Sequence, residues 1–252
     1  MGLSDSSNSK DTPVDSILHA DSTGRDLIED WNYRSVIGKL NYLVNNTRPD
    51  NSIFVHQYTR FYSNPKAIHK LAVKRIARYL LKTRTQGMIL RPTTDLSLNM
   101  FVDADFAGPW HKEYSDLRDS VLFRTGYVIT FCGCPVIWAS KLQSEIALST
   151  TESEYIALST ATRDLLPLRC ILTDIEQLSF ITLSTSNNID IIGVPLLPPS
   201  KVFEDNNACI VLATTEMQFK PCTKHISIKY HHFHDQVKKG TLEIVKVAKM
   251  RI

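Results

Sequence analysis

Two short apolar runs in this sequence end in carboxylates. Leu96, Leu98 and Met100–Val102 lead into Asp103 and Asp105, and Lys201-Val202-Phe203 leads into Glu204 and Asp205. Between them, Ser149-Thr150-Thr151 precedes Glu152 and Glu154, the pattern of a capped helix start with acids in its first turn. A carboxylate at the end of a buried strand is costly unless positive charge meets it. Where two or three carboxylates converge, the usual partner is a divalent cation such as Mg2+ or Mn2+. In an open sheet, strand ends and the N-terminus of a packing helix can meet at one edge. Asp103, one of the two glutamates and Asp205 then make the layout of a two-metal phosphodiester hydrolase, in which one ion helps generate hydroxide and the other stabilises the leaving oxygen. Spacing leaves a second reading open, since acids in a first helical turn stabilise the helix dipole without any catalysis.

Three other residue groups carry chemical potential. No acid occurs between Arg60 and Pro92, while Lys66, Lys70, Lys74, Arg78 and Lys82 recur at every fourth position. Each such step rises about 6 Å, close to the phosphate spacing of a nucleic-acid strand, so the row is read as a backbone track. Its competitor is an ordinary solvated basic helix face. His225, His231, His232 and His234 fall in one helical stretch with Asp235. The spacing of His231 and His234 suits zinc, but no Cys or carboxylate completes four ligands, and the histidines are read as facing substrate or solvent. Five cysteines without a C-x-x-C pair point to reduced structural thiols in an intracellular protein, with cytoplasmic particle and nucleus both open.

These groups need elements to position them. A chain of 252 residues, 43% hydrophobic and 22% charged with a net charge of +3, can bury a sizeable core. No apolar run approaches the roughly 20 residues that span a bilayer, and the Ser/Asp/Thr-rich start lacks the basic-then-apolar order of a signal peptide, which sets membrane and secretion aside. Residues 1–28 read as a flexible leader. Helical periodicity predicts helices over Trp31–Val44, Asn51–Tyr62 and Pro65–Thr83. Strands are expected over Met88–Leu90, Leu96–Asp103, Thr125–Cys132 and Cys134–Ser140, the last two joined by a tight turn at Gly133. A helix follows from Ser149 with Pro167 near its end, then a long connection over 179–200. Lys201–Asp205 is a strand, Asn206–Leu212 and Thr223–Lys239 are helices, and Thr241–Val247 is the last strand. That order fits an α/β protein with a mixed sheet flanked by helices.

Several ordered pieces add a resemblance: Tyr33–Leu43, Thr47-Arg48-Pro49-Asp50, Arg60–Pro65, Val102–Gly108, Arg124-Thr125-Gly126-Tyr127, Trp138–Gln143, Ser149–Leu158, Glu204-Asp205-Asn206-Asn207 and Thr223-Lys224-His225-Ile226. Together they closely resemble the end of the polyprotein of copia-type retrotransposons, over about Asp30 to Val247. The resemblance implies a small helical subdomain (29–87) like the end of reverse transcriptase, which contacts template-primer. It implies next a ribonuclease H-like domain (88–252) that hydrolyses RNA in RNA–DNA hybrids with Mg2+ or Mn2+. Asp103 and Asp205 match the first and third catalytic carboxylates. Glu154-Tyr155-Ile156-Ala157 matches the helix signature, which makes Glu154 the glutamate ligand and Glu152 a supporting or capping acid. Lys66, Lys70, Lys74, Arg78 and Lys82 become nucleic-acid contacts, and the rest of the polyprotein becomes a partner. In that family a fourth acid comes from an Asp in a helix after the last strand, and the sequence reaches Ile252 without one. The expectation is therefore a domain truncated at its C-terminus, with a weakened second metal and impaired cleavage. The alternative is a non-catalytic nucleic-acid-binding remnant. No paired-Asp polymerase palm motif is present, so DNA synthesis is not expected.

Overall fold

Apolar residues at threes and fours build three helices in the first part of the chain: α1 (Tyr33–Asn46), α2 (Ser52–Thr59) and α3 (Ala67–Lys82). The Asn32 side chain accepts the Ser35 N–H and starts α1. Tyr33, Ile37, Leu40 and Val44 of α1 meet Val55, Tyr58, Phe61, Val73 and Ile76 in one buried core. At the α1–α2 joint, Arg48 donates twice to the Asp50 carboxylate, at 3.0 and 2.7 Å, and twice to Thr83. The Tyr79 hydroxyl donates to the same carboxylate at 2.8 Å. This bonded clasp ties the start of α2 to the end of α3.

The computed structural model describes residues 10–14, 18, 24–27, 31–105, 121–187, 197–215 and 231–248. It divides into two compact units, one holding the described residues up to Ile89 together with 121–122 and 139–141 and mainly helical, the other holding the remaining described residues and built on a sheet. The described residues of the expected leader are bound to the helical unit. Val14, Leu18 and Leu27 pack on its core, Ala67 N–H donates to Arg25 O at 2.9 Å, and Asp26 bridges Lys66. Three well-spaced aliphatic side chains suffice to dock a segment otherwise rich in turn formers.

The sheet has five strands in the order β3-β2-β1-β4-β5: β1 (Leu98–Asp105), β2 (Arg124–Phe131), β3 (Cys134–Leu142), β4 (Ser200–Glu204) and β5 (Leu242–Lys246). β1 runs antiparallel to β2 and parallel to β4, and β4 is parallel to β5. Cys132 and Gly133 both have positive φ, 50° and 77°, as in a type I′ turn, whose twist matches a two-residue hairpin. Helices α4 (Thr150–Asn187), α5 (Asn207–Thr214) and α6 (His234–Lys238) complete the unit. Residues 152–159 of α4 are buried on every side, and Tyr155, Leu158, Ala161 and Leu165 join Met100, Val102, Tyr127, Ile129 and Val202 in the core. The result is α/β, a ribonuclease H-like mixed sheet flanked by helices and preceded by a small helical subdomain, as expected from the sequence.

Some boundaries differ. Residues 88–90 form no strand. β1 continues two residues past Asp103, because Asp105 pairs with Arg124 across the ladder. α4 runs through Pro167 to Asn187 and takes up the first part of the expected connection. Arg169, two residues after that proline, donates to Pro198 O at 2.7 Å and Ser200 Oγ at 2.8 Å, tying the helix to the entry of β4. Of the expected helix 223–239, residues 231–239 form a 3-10 turn followed by α6, and 223–230, with His225, lie outside the described residues.

Candidate metal centre

Strand alternation sorts the residues of β1. Leu98, Met100, Val102 and Ala104 point into the core, and Asp103 points to the other, partly open face. Phe101 lies opposite Phe203 in the β1–β4 pairing, so two residues further along each strand Asp205 is level with Asp103. The Asn206 side chain accepts the N–H groups of Ala208 and Cys209 at 3.0 and 3.1 Å, ending β4 and capping α5. The position of Asp205 is thereby fixed from both sides.

Glu154 comes from the first turn and a half of α4. Ser149 Oγ accepts the Glu152 N–H at 3.1 Å, and Glu152 Oε2 accepts the Leu148 N–H at 2.8 Å. This reciprocal cap gives Glu152 to the helix start. Glu154 instead turns toward the sheet, where it is 6% exposed and hydrogen-bonded by the backbone of Ala104. One carboxylate oxygen each from Asp103, Glu154 and Asp205 lie within 4.8 Å of one another. The structure thus brings the three acids picked out in the sequence into one cluster.

The electrostatics follow from burial and crowding. Desolvation, then Glu204, Asp103 and Asp205, push the Glu154 carboxyl up to about 9. Glu204, fully buried at the end of β4, is pushed up to about 8 by desolvation and by Asp205 and Asp103, against the opposing hydrogen bond from Asn206. The buried Cys209 thiol is pushed up as well, by desolvation and then Glu204, Glu154 and Asp205. Oε2 of Glu154 and Oε2 of Glu204 are buried with no hydrogen-bond partner among the described residues. An all-carboxylate donor set with unsatisfied buried oxygens fits a hard divalent cation. Glu204 was not a site candidate in the sequence. Its only signal was its place beside Asp205, and strand alternation argued that the two point to opposite faces.

The other candidates have surroundings of their own. Asp105 is exposed opposite Arg124. The basic row on α3 is open over part of its length. Lys66 and Lys70 are buried, Lys66 paired with Asp26 at 2.6 Å and Lys70 lying over the Trp31 ring at 5.5 Å. Lys82 is exposed and paired with Asp11, Lys74 and Arg78 are half-buried, and Ile68 and Leu71 are turned outward as well. The long aliphatic stems of Lys66 and Lys70 allow their burial, since they pack like apolar groups while the ammonium reaches a partner.

His234 is buried with its Nε2 3.0 Å from the Tyr155 hydroxyl, and His232 lies 3.4 and 3.3 Å from the hydroxyls of Ser159 and Thr162. These two histidines dock the C-terminal segment on α4, where the sequence suggested substrate or solvent. Among the described residues no zinc-type cluster forms around them. Cys132, Cys134, Cys170 and Cys209 are free thiols.

Comparison with known proteins gives long matches. The chain is 30% identical over 226 residues to the retrovirus-related Pol polyprotein from transposon RE1 of Arabidopsis thaliana, which covers 90% of this chain and 14% of that protein. It is 32% identical over 218 residues to the corresponding polyprotein from transposon TNT 1-94 of Nicotiana tabacum, covering 86% of this chain and 14% of that protein. A shorter match, 38% identical over 132 residues, relates 52% of the chain to 87% of the secreted RxLR effector protein 161 of Plasmopara viticola. No family model and no solved structure matches the chain.

Proposed function

Because the chain belongs to the copia-type retrotransposon Pol polyproteins, spanning 14% of the length of the two Pol polyproteins named above, we propose that its sheet unit is a ribonuclease H domain. It hydrolyses the RNA strand of RNA–DNA hybrids with Mg2+ or Mn2+ held by Asp103, Glu154 and Asp205. The observation that carries this reading is the approach of those three carboxylates to within 4.8 Å at the open end of the β1–β4 pair.

In this reading the chain's own residues do the placing. Asp103 and Asp205 project from adjacent parallel strands, and Glu154 is held between them by the Ala104 backbone and the packing of Tyr155 and Ala157 beneath it. Divalent cations bound there supply Lewis-acid chemistry, lowering the pKa of a water and stabilising the leaving oxygen. Gly126 faces Asp103 across the ladder and carries no side chain, so one flank of the cluster stays clear for a phosphodiester. Without a cation, the proton on Glu154 relieves the crowding of charge.

The test uses purified full chain with an end-labelled RNA–DNA hybrid in Mg2+ or Mn2+, beside Asp103→Asn. Cleavage by the first and not the second supports the reading. Salt-sensitive binding without cleavage, in both metals, replaces it with that of a nucleic-acid-binding remnant.

A further inference from the structure

Glu154 can meet Asp103 and Asp205 only if the start of α4 is held at a fixed height over the sheet. One side chain from outside α4 reaches that start. Gln143 follows the last residue of β3, and its backbone N–H donates to Phe123 O at 2.8 Å, which fixes it beside the entry of β2. Its side chain is 5% exposed. Nε2 donates twice, to Thr125 Oγ1 on β2 at 3.1 Å and to the carbonyl of Ser153 on α4 at 2.8 Å. Thr125 and Ser153 are buried too, so water does not compete for these bonds.

Thr125 stands opposite Ala104 in the β1–β2 ladder, and the Ala104 backbone is hydrogen-bonded to the Glu154 carboxyl. Ser153 directly precedes Glu154. The connections close into a ring: from Glu154 to Ala104, across the ladder to Thr125, through the Gln143 amide to Ser153, and back to Glu154. An amide is a costly group at this position, because its Oε1 is buried with no hydrogen-bond partner among the described residues. Methionine would fill similar space without that loss. What the position gains from glutamine is the pair of donors, aimed at the strand beside Asp103 and at the residue before Glu154.

We propose that Gln143 is a positioning residue for Glu154: by bridging Thr125 and Ser153 it holds the first turn of α4 against β2, so that the Glu154 carboxylate meets Asp103 and Asp205. This rests on the reading of those three acids as a divalent-cation site.

Mn2+ uptake by the full chain, read from the electron paramagnetic resonance signal of free Mn2+ well below the thermal midpoint, tests the proposal without any nucleic acid. Gln143→Met keeps the length of the side chain and removes both donors. Its Kd for Mn2+ should rise about tenfold or more, on the scale of lost supporting groups at metal sites. The Mg2+ concentration that half-saturates hybrid cleavage should rise with it. Ile129→Val removes a buried methyl group from β2 without touching these bonds, and should lower the thermal midpoint while leaving the Kd at its wild-type value. An equal loss of affinity in both variants assigns the effect to stability and overturns the proposal. An unchanged Kd in Gln143→Met, with uptake lost in Asp103→Asn, overturns it and leaves the cation site standing. A wild-type chain that takes up no Mn2+ removes both. If Gln143→Met does not fold, Thr125→Val decides, since it deletes the anchor of the same amide on β2: a raised Kd supports the proposal and an unchanged one overturns it.

Discussion

Asp103 stands directly opposite Gly126 in the antiparallel β1–β2 pair. Cross-strand partners point to the same face of a sheet, so the flank of Asp103 that another residue would cover with a side chain is bare. A Cβ at Gly126 would sit 3.9 Å from Asp103 O, an ordinary contact, so the backbone has room for a larger residue. Gly126→Val should therefore fold, with a thermal midpoint equal to or above wild type because valine favours strands. Hybrid cleavage should fall at least tenfold as the added methyls occupy the approach to the cluster. Equal cleavage by this variant would remove Gly126 from the site.

The raised carboxyls give a pH dependence with a definite sign. Burial and the neighbouring acids push the Glu154 carboxyl from 4.5 up to about 9 and that of Glu204 from 4.5 up to about 8. Over those intervals the unfolded chain has released protons that the folded chain keeps, so their contribution to stability is complete below pH 4.5 and is lost as pH rises toward 9. In EDTA the thermal midpoint should decline between about pH 5 and pH 9. Glu154→Gln should flatten that decline.

Divalent cation should reverse the trend. An ion that binds only the folded chain stabilises it by about 2.7 kcal/mol at a hundred times its Kd. Because the ligands must ionise to bind it, the gain in midpoint on adding Mg2+ or Mn2+ should grow from pH 6 to pH 8. Calorimetry with and without the ion measures this, and Asp103→Asn should show no gain.

The clasp in the helical unit predicts a substitution that looks mild and is not. Arg48 offers Asp50 two parallel donors, Nε and Nη2, while Nη1 donates to Thr83 O and Nη2 also to Thr83 Oγ1, a geometry lysine cannot copy. Asp50 is 39% exposed at its side chain, which limits the value of the pair. Arg48→Lys should cost about 1 kcal/mol in chemical denaturation of the chain.

Tyr155→Phe deletes the hydroxyl beside His234 and nothing else in a fully buried position. It should cost about 1–2 kcal/mol and leave metal uptake unchanged, since the hydroxyl faces α6 and not the acids.

The parts of the site that could be read from sequence are those set by neighbours along the chain. The ends of two short apolar runs placed Asp103 and Asp205, and the resemblance of Glu154-Tyr155-Ile156-Ala157 to a helix signature, not the spacing, separated Glu154 from Glu152. The burial of Lys66 and Lys70 was not legible because it depends on Asp26 and Trp31, which come to α3 from 40 and 39 residues away and leave no periodic trace. Glu204 was overlooked because a carboxylate alternating with Val202 on the buried face of β4 leaves no sign in the sequence of what surrounds it. The passage of α4 through Pro167 was also illegible, since tertiary contacts on either side of a proline can outweigh its lost N–H.

One helix therefore acts as a ruler for the site. Glu154 lies near the start of α4 and Arg169 lies fifteen residues later, about 22 Å along the axis, where it grips the segment entering β4. β4 then returns toward Asp205. Adding or removing one residue between Glu154 and Arg169 would rotate one of them by about 100° relative to the other. The two acids from opposite ends of that loop would lose their common register, so length variation among functional copies of this element should be absent from residues 154–169 and 200–205.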